Sequence, residues 1–66
     1  MQTLNAIKRL EKAGYKVTKN LSHYTAKKDN DVITFFSQRD GVHFFTYEGP
    51  GGDTHFPTLK GAMGQY

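Results

Sequence analysis

Aromatic and basic side chains are the residues of this chain whose types and positions could do chemistry. The runs VITFFSQ and VHFFTYE place four aromatic or imidazole groups at alternating positions, namely Phe36, His43, Phe45 and Tyr47. Four cations lie upstream, at Lys8, Arg9, Lys12 and Lys16. Exposed aromatic rings stack on unpaired bases, and lysine and arginine neutralise phosphates. These groups favour the binding of nucleic acid, either single-stranded or RNA, or of a protein that handles it.

His23 is the candidate for acid–base catalysis. A neutral imidazole titrates near about pH 6.5 and can take a proton from a ribose 2′-hydroxyl. On a basic strand, His23 would therefore permit metal-independent cleavage of RNA. A surface histidine without a catalytic role is the simpler interpretation, because one base is incomplete machinery. Ser22 points to the opposite side of a strand from its neighbour, so the two do not form a Ser–His couple.

The sequence indicates neither a metal site nor a cofactor site. The chain contains no cysteine, and its three histidines lie twenty and twelve residues apart, whereas zinc sites usually pair histidines about three to five residues apart. The glycine-rich stretch at 49–53 lacks the Lys-Ser/Thr ending of a phosphate-binding loop. It is interpreted as a flexible loop.

Size and charge define the class of protein. The 66 residues allow a single domain, 1–66, with a thin core. Residues 1–28 carry seven Lys or Arg against one Glu, while residues 29–66 carry two against five acidic residues. This asymmetry favours a polyanionic partner, although solvated helices are often lysine-rich too. No stretch has the length of a membrane span or a signal peptide, so we expect a soluble protein of the bacterial cytoplasm.

The hydrophobic pattern predicts an α+β fold. Leu4, Ile7 and Leu10 follow a helical period after Thr3, the expected N-cap, and Gly14 can close this helix. Alternation then predicts four antiparallel strands in a meander, at 15–19, 22–27, 32–38 and 42–48. Pro57 opens a short C-terminal helix at 57–63. Helices on one side of an antiparallel sheet are typical of this class.

The direction of each side chain in the third and fourth strands decides which residues face solvent. A two-residue turn at Asp40-Gly41 would pair Phe36 with Phe45. The more purely apolar set then packs against the helix; it consists of Ile33, Phe35, Val42 and Phe44. The other face presents the polar and aromatic set of Lys16, Thr18, His23, Thr25, Phe36, His43, Phe45 and Tyr47. A three-residue loop with a bulge would invert one strand.

Three fates are open for that aromatic face. The C-terminal segment 54–66 could fold back and cover it as a second small core. A second copy or a protein partner could pack on it, because large exposed apolar patches usually mark interfaces. Nucleic acid is the third occupant.

Part of the chain resembles the HicA family of small toxin ribonucleases. The resemblance is carried by AIKRLEKAGYKV, LSHYTAKKDNDVITF and PTLKGAM. It implies a fold like that of double-stranded-RNA-binding domains, messenger-RNA cleavage and an antitoxin partner. Ser22-His23 would match the family's Ser-His signature, with His23 catalytic. Leu21 and Tyr24 stand where the family has glycine and its usual second histidine.

We expect a small non-enzymatic protein of the kind that phages and other mobile elements use as accessories or inhibitors. It would bind nucleic acid, or a protein that handles it, through the aromatic sheet face and the basic first helix. The alternatives are a HicA-like ribonuclease with His23 as general base, and a homodimer closed through the aromatic face.

Overall fold

Residues 1–64 form one five-stranded antiparallel sheet with two helices on the same side. A computed structural model describes residues 1–64. The helices are α1 (Thr3–Lys12) and α2 (Leu59–Gly64). The strands are β1 (Lys16–Lys19), β2 (His23–Lys28), β3 (Asp31–Phe36), β4 (Phe45–Gly49) and β5 (Gly52–Phe56), in the order β1-β2-β3-β4-β5. The α+β class and the meander are confirmed, but a fifth strand, which was not predicted, begins within the expected loop at 49–53 and continues beyond it.

Two-residue connections set the register at two of the hairpins. Lys28 pairs with Asp31 around Asp29-Asn30, and Gly49 pairs with Gly52 around Pro50-Gly51. Asp29 adopts a positive φ of 54°, a conformation that aspartate tolerates better than most residues. The hairpins keep each strand beside its neighbour in sequence, so the sheet has no crossover connection.

The face of the sheet that contacts the helices is called the inner face, and the opposite one the outer face. The core on the inner face joins both helices to the middle strands, through Ala6, Leu10, Tyr15, Ala26, Ile33, Phe35, Val42, Phe45, Leu59 and Ala62. α1 contacts β1, and α2 contacts β4 and β5. The outer face has no helix against it within residues 1–64.

Helix α1 follows the predicted apolar period in part, because Leu4 of that stripe is 61% exposed. Ala6 and Leu10 are fully buried, and the helix ends at Lys12, with Ala13 as its C-cap before Gly14, whose φ is 98°. The N-cap residue is Gln2, not Thr3. Thr3 lies in the first turn, where its hydroxyl Oγ1 is 2.8 Å from Ser37 Oγ.

The loop between β3 and β4 is tied to the N-terminus. The Val42 amide donates to the Met1 carbonyl oxygen at 2.6 Å, and the Met1 ammonium donates to the Val42 carbonyl at 3.2 Å. Gly41, with φ 114°, lies so close that a Cβ there would overlap the Met1 carbonyl. The loop is therefore shaped by a contact with the other end of the chain.

The predicted pairing of Phe36 with Phe45 is wrong. The tight turn is at Arg39-Asp40, closed by a bridge between Gln38 and Gly41, and residues 42–44 run outside the strands. Phe35 pairs with Phe45 instead. Because strand side chains alternate, this one-residue change exchanges the faces of β4. Phe45 is 1% exposed and Phe44 is 38% exposed, the reverse of the expectation.

Candidate functional site

The antiparallel register arranges the outer face as rows of residues that lie directly opposite one another. The first row contains Lys16, Lys27, Val32, Glu48 and Asp53. The second row is formed by Thr18, Thr25, Thr34, Thr46 and His55. His23 and Phe36 pair in the third row. The first row is therefore mainly charged, with Val32 at its centre, the second carries four hydroxyls and one imidazole, and the third is aromatic.

A shallow groove of about 350 Å³ lies over β1 and β2 on this face. Its lining consists of Lys16, Thr18, Asn20, Thr25 and Lys27. Every lining side chain carries a hydrogen-bond donor, and Asn20 already donates to Thr25 Oγ1 at 3.1 Å. Lys16 and Lys27 lie directly opposite one another, an arrangement that costs stability because like charges repel. Such a donor-lined groove has the chemistry of an anion site.

The charge on the first row changes sign across the sheet. Its two lysines lie on β1 and β2, whereas Glu48 and Asp53 lie on β4 and β5. The Thr34 hydroxyl donates to Glu48 Oε2 at 2.8 Å. A polyanion on the outer face is attracted to the β1–β2 half and repelled from the β4–β5 half.

Two aromatic pairs lie on the same face. The His23 and Phe36 rings are 5.6 Å apart between centroids and tilted by 53°. The Phe44 and His55 rings are 5.7 Å apart, edge to face at 84°. Phe36 is 44% exposed, which leaves a ring surface open to a stacking partner.

His23 lies at the end of the groove that is nearer the aromatic rings. Its Nε2 is 3.4 Å from the Asn20 amide nitrogen, and its carbonyl oxygen accepts from the Asn20 backbone amide at 2.8 Å. The expected outer-face positions of His23, Thr18 and Thr25 follow from the strand register. His23 thus has donor-rich neighbours and a half-buried ring.

Two expected members of the aromatic face point the other way. Phe45 lies in the core with Leu59 and Ala62 of α2, so residues 54–64 of the C-terminal segment help to cover this ring. Tyr47 also packs against the core, and its hydroxyl donates to Asp31 Oδ1 at 2.7 Å. That hydrogen bond raises the pKa of Tyr47 above 10.0, with smaller contributions from burial and the Asp31 charge. Gln65 and Tyr66 lie outside the described residues.

His43 belongs to the β3–β4 loop and not to a strand. Its Nε2 lies 2.7 Å from Asp40 Oδ1, and both side chains are exposed. The hydrogen bond from His43 is the main cause that lowers the pKa of Asp40 below 3.8. This pair is separate from the rows of the outer face.

The cations of α1 do not share a surface with the groove. Lys8, Arg9 and Lys12 are exposed on a helix that packs against the inner face. The sheet therefore separates them from Lys16. The structure brings together a different set of residues, which adds Asn20, Lys27, Phe44 and His55 to the expected ones. Alternation along β2 could have revealed Lys27, since it has the same parity as His23 and Thr25.

Comparison with protein-family models, curated proteins and solved structures gave no match. None of the helices within residues 1–64 combines the length and apolar character needed to cross a membrane. In the same described part of the chain, His, Asp and Glu side chains do not gather in groups of three or more that could hold a metal ion. The features of the described residues that could bind a ligand are the outer face and its groove.

Proposed function

We propose that this protein is a non-enzymatic binding protein that engages single-stranded nucleic acid, RNA included, through the outer face of its sheet. The observation that carries the proposal is the donor-lined groove of Lys16 and Lys27 beside the exposed ring of Phe36. Lysines attract backbone phosphates, and aromatic rings stack on bases whatever their sequence. A face that offers both groups fits a flexible strand with unpaired bases.

The spacing of these groups suits one strand lying along β2. Lys27 and His23 are separated by four residues of an extended strand, which corresponds to about 13 Å. Phosphates in the groove would then place neighbouring bases at the His23–Phe36 pair. Thr18, Thr25 and Asn20 add neutral donors between the two ends.

Charge gives the bound strand a preferred half of the face. Glu48 and Asp53 would repel phosphates from β4 and β5. Two lysine contacts to single-stranded phosphates predict a slope of about −1.4 for log K against log salt concentration. The difference in slope between the wild type and a groove variant counts the phosphate contacts that the groove makes.

Binding of labelled oligonucleotides, followed by fluorescence anisotropy at several salt concentrations, tests the proposal. The double variant Lys16→Gln/Lys27→Gln should weaken binding and lower the salt slope by about 1.4. The matched control is Lys8→Gln/Lys12→Gln, which removes the same charge from α1 and should change binding far less. Phe36→Ala should cost about 1–3 kcal/mol of binding free energy.

Two outcomes would overturn the proposal. In the first, the wild-type protein binds neither single-stranded RNA nor single-stranded DNA at low salt. In the second, the groove variant and the α1 variant lose affinity equally, which would indicate a general effect of net charge. If only the α1 variant lost affinity for the oligonucleotide, the binding site would lie on the basic first helix.

RNA cleavage with His23 as general base is the second candidate function, and it is the activity that the resemblance to HicA toxins implies. The observation that favours it is the position of His23 Nε2 beside Asn20, a residue of the groove lining. A phosphate held there would bring a ribose 2′-hydroxyl within reach of the imidazole. Incubation of the protein with labelled RNA should then give fragments, and His23→Ala should abolish them while leaving binding in place. RNA that stays intact after prolonged incubation would contradict cleavage, and binding would then be the only proposed function.

A further inference from the structure

The two edge strands of the sheet are protected to different degrees. β1 is only four residues long, and it begins with Lys16 and ends with Lys19. Lys19 pairs with Tyr24, an inner-face position, and an inward charge on an edge strand discourages pairing with another chain. β5 is longer, and Gly52–Phe56 contains neither a lysine nor a proline. β5 is thus the edge open to a further strand.

The hydrogen-bonding groups at this open edge belong to Asp53 and His55. Residues of an antiparallel pair alternate between hydrogen-bonded and non-hydrogen-bonded positions, and the pair that closes a two-residue loop is hydrogen-bonded. Gly52 and Thr54 therefore point their backbone groups at β4, while Asp53 and His55 point theirs away. Among residues 1–64, no backbone group outside the β4–β5 ladder bonds to β5.

We propose that β5 pairs with β5 of a second copy of this chain, antiparallel and about a two-fold axis at Thr54. In this register Asp53 lies opposite His55 of the partner subunit, and the symmetric pair repeats on the other side of the axis. Each pair exchanges both of its N–H···O=C bonds. All of the outward backbone groups of both residues are then satisfied.

Hydrogen-bond complementarity between imidazole and carboxylate selects this register among the two-fold alternatives. An axis at Asp53 would place two aspartates opposite each other, and an axis at His55 would do the same with two histidines. Only the axis at Thr54 sets an imidazole against a carboxylate. His55 Nδ1 lies 2.9 Å from Thr46 Oγ1, so Nε2 is the ring nitrogen left to face Asp53 of the partner subunit.

The dimer leaves the groove open. A two-fold axis perpendicular to the sheet keeps both outer faces on the same side, and the two β1–β2 halves lie at opposite ends of the joined sheet. The pairing rests on the edge of β5 and not on the nucleic-acid proposal. Because each chain contributes one five-residue strand, the interface belongs to the small class typical of weak, concentration-dependent association.

Sedimentation velocity over a range of protein concentrations tests the dimer. The wild-type protein should shift from monomer to dimer as concentration rises. Asp53→Lys should raise the dimer Kd by about tenfold or more, because it removes the carboxylate that accepts from His55 of the partner subunit. His55→Asp should weaken the dimer as well, by setting two carboxylates opposite each other. The double variant Asp53→Lys/His55→Asp sets a lysine opposite a carboxylate in each pair and should recover dimerisation.

Three results would overturn the proposal: a wild-type chain that stays monomeric at millimolar concentration, single variants that dimerise like the wild type, or a double variant no better than the singles. Circular dichroism on each variant confirms that the fold is retained. Loss of the dimer on Phe36→Ala, with no effect of Asp53→Lys, would place the contact on the outer face instead. Oligonucleotide binding by the wild-type protein at concentrations where it is monomeric would separate this proposal from the function of the groove.

Discussion

Phe45, the first residue of β4, and Phe44, which precedes the strand, should differ sharply in their contribution to stability. Phe45 is 1% exposed and edge-on to Phe35 at 5.4 Å, whereas Phe44 is 38% exposed. Replacing a buried phenylalanine with alanine costs about 3–5 kcal/mol. A 66-residue domain has a total stability of about 3–10 kcal/mol. Phe45→Ala should therefore leave much of the protein unfolded, while Phe44→Ala should cost about 1 kcal/mol or less.

A milder pair of variants keeps the comparison measurable. Phe45→Leu should lower the free energy of unfolding by about 1–2 kcal/mol, and Phe44→Leu should change it by less than about 0.5 kcal/mol. Urea denaturation followed by circular dichroism gives both values from the shift in midpoint at constant slope. A larger loss for Phe44→Leu than for Phe45→Leu would mean that Phe36 pairs with Phe45 after all, and would refute the register on which the outer face depends.

Three further predictions concern the loop and the titrating side chains. Gly41→Ala should cost about 2–3 kcal/mol in urea denaturation, because its φ of 114° is strained for alanine and the methyl overlaps the N-terminal carbonyl; a cost near zero would contradict the contact. The raised pKa of Tyr47 predicts a contribution to stability that is complete below pH 10.0 and is lost as the pH rises through that raised pKa. Tyr47→Phe, which cannot bond to Asp31, should show a smaller loss between neutral and strongly alkaline pH, and an unchanged loss would contradict the hydrogen bond. Asp40 should titrate below 3.8 by carboxyl NMR, and His43→Ala should raise its pKa; an unmoved titration would show that the pair does not form in solution.

Local patterns were sufficient for the first half of the chain. The spacing of Leu4, Ile7 and Leu10 predicted α1 within a residue or two. Alternation in β2 and β3 placed Ile33 and Phe35 in the core and His23 on the outer face. These elements follow from side-chain periodicity, which needs no knowledge of distant contacts.

The direction of β4 could not be predicted from local sequence. Asp40-Gly41 is a strong hairpin signal, but the turn lies at Arg39-Asp40, and residues 42–44 outside the strands add the one-residue offset that pairs Phe35 with Phe45. Gly41 instead accommodates the approach of Met1. The contact between Gly41 and Met1 joins residues about forty positions apart, and no local sequence pattern near Gly41 predicts it. One residue of slippage was enough to exchange Phe44 with Phe45.

Strand β5 was missed because glycine usually weakens a strand. Gly49 and Gly52 close the β4–β5 hairpin, and Gly49 has a specific reason to lack a side chain. A Cβ there would come within 2.5 Å of the Tyr47 ring. The glycines that suggested a flexible loop therefore belong to the ends of two paired strands.

The groove was predicted in part. Lys16, Thr18 and Thr25 were expected on the outer face, but Lys27 and Asn20 become neighbours of these residues only through the register of β1 and β2. The cations of α1 looked equivalent to Lys16 in sequence. Their separation depends on which side of the sheet the helix packs, and charge counts carry no such information.

Chemical-shift mapping by NMR tests the central claim most directly. A labelled sample of the protein is titrated with a short single-stranded oligonucleotide at low salt, and backbone amide shifts are followed for every residue. The account predicts the largest shifts at Lys16, Thr25, Lys27 and Phe36, with α1 nearly unaffected. Shifts confined to α1, or none at all at saturating oligonucleotide, would contradict the assignment of the outer face as the binding surface.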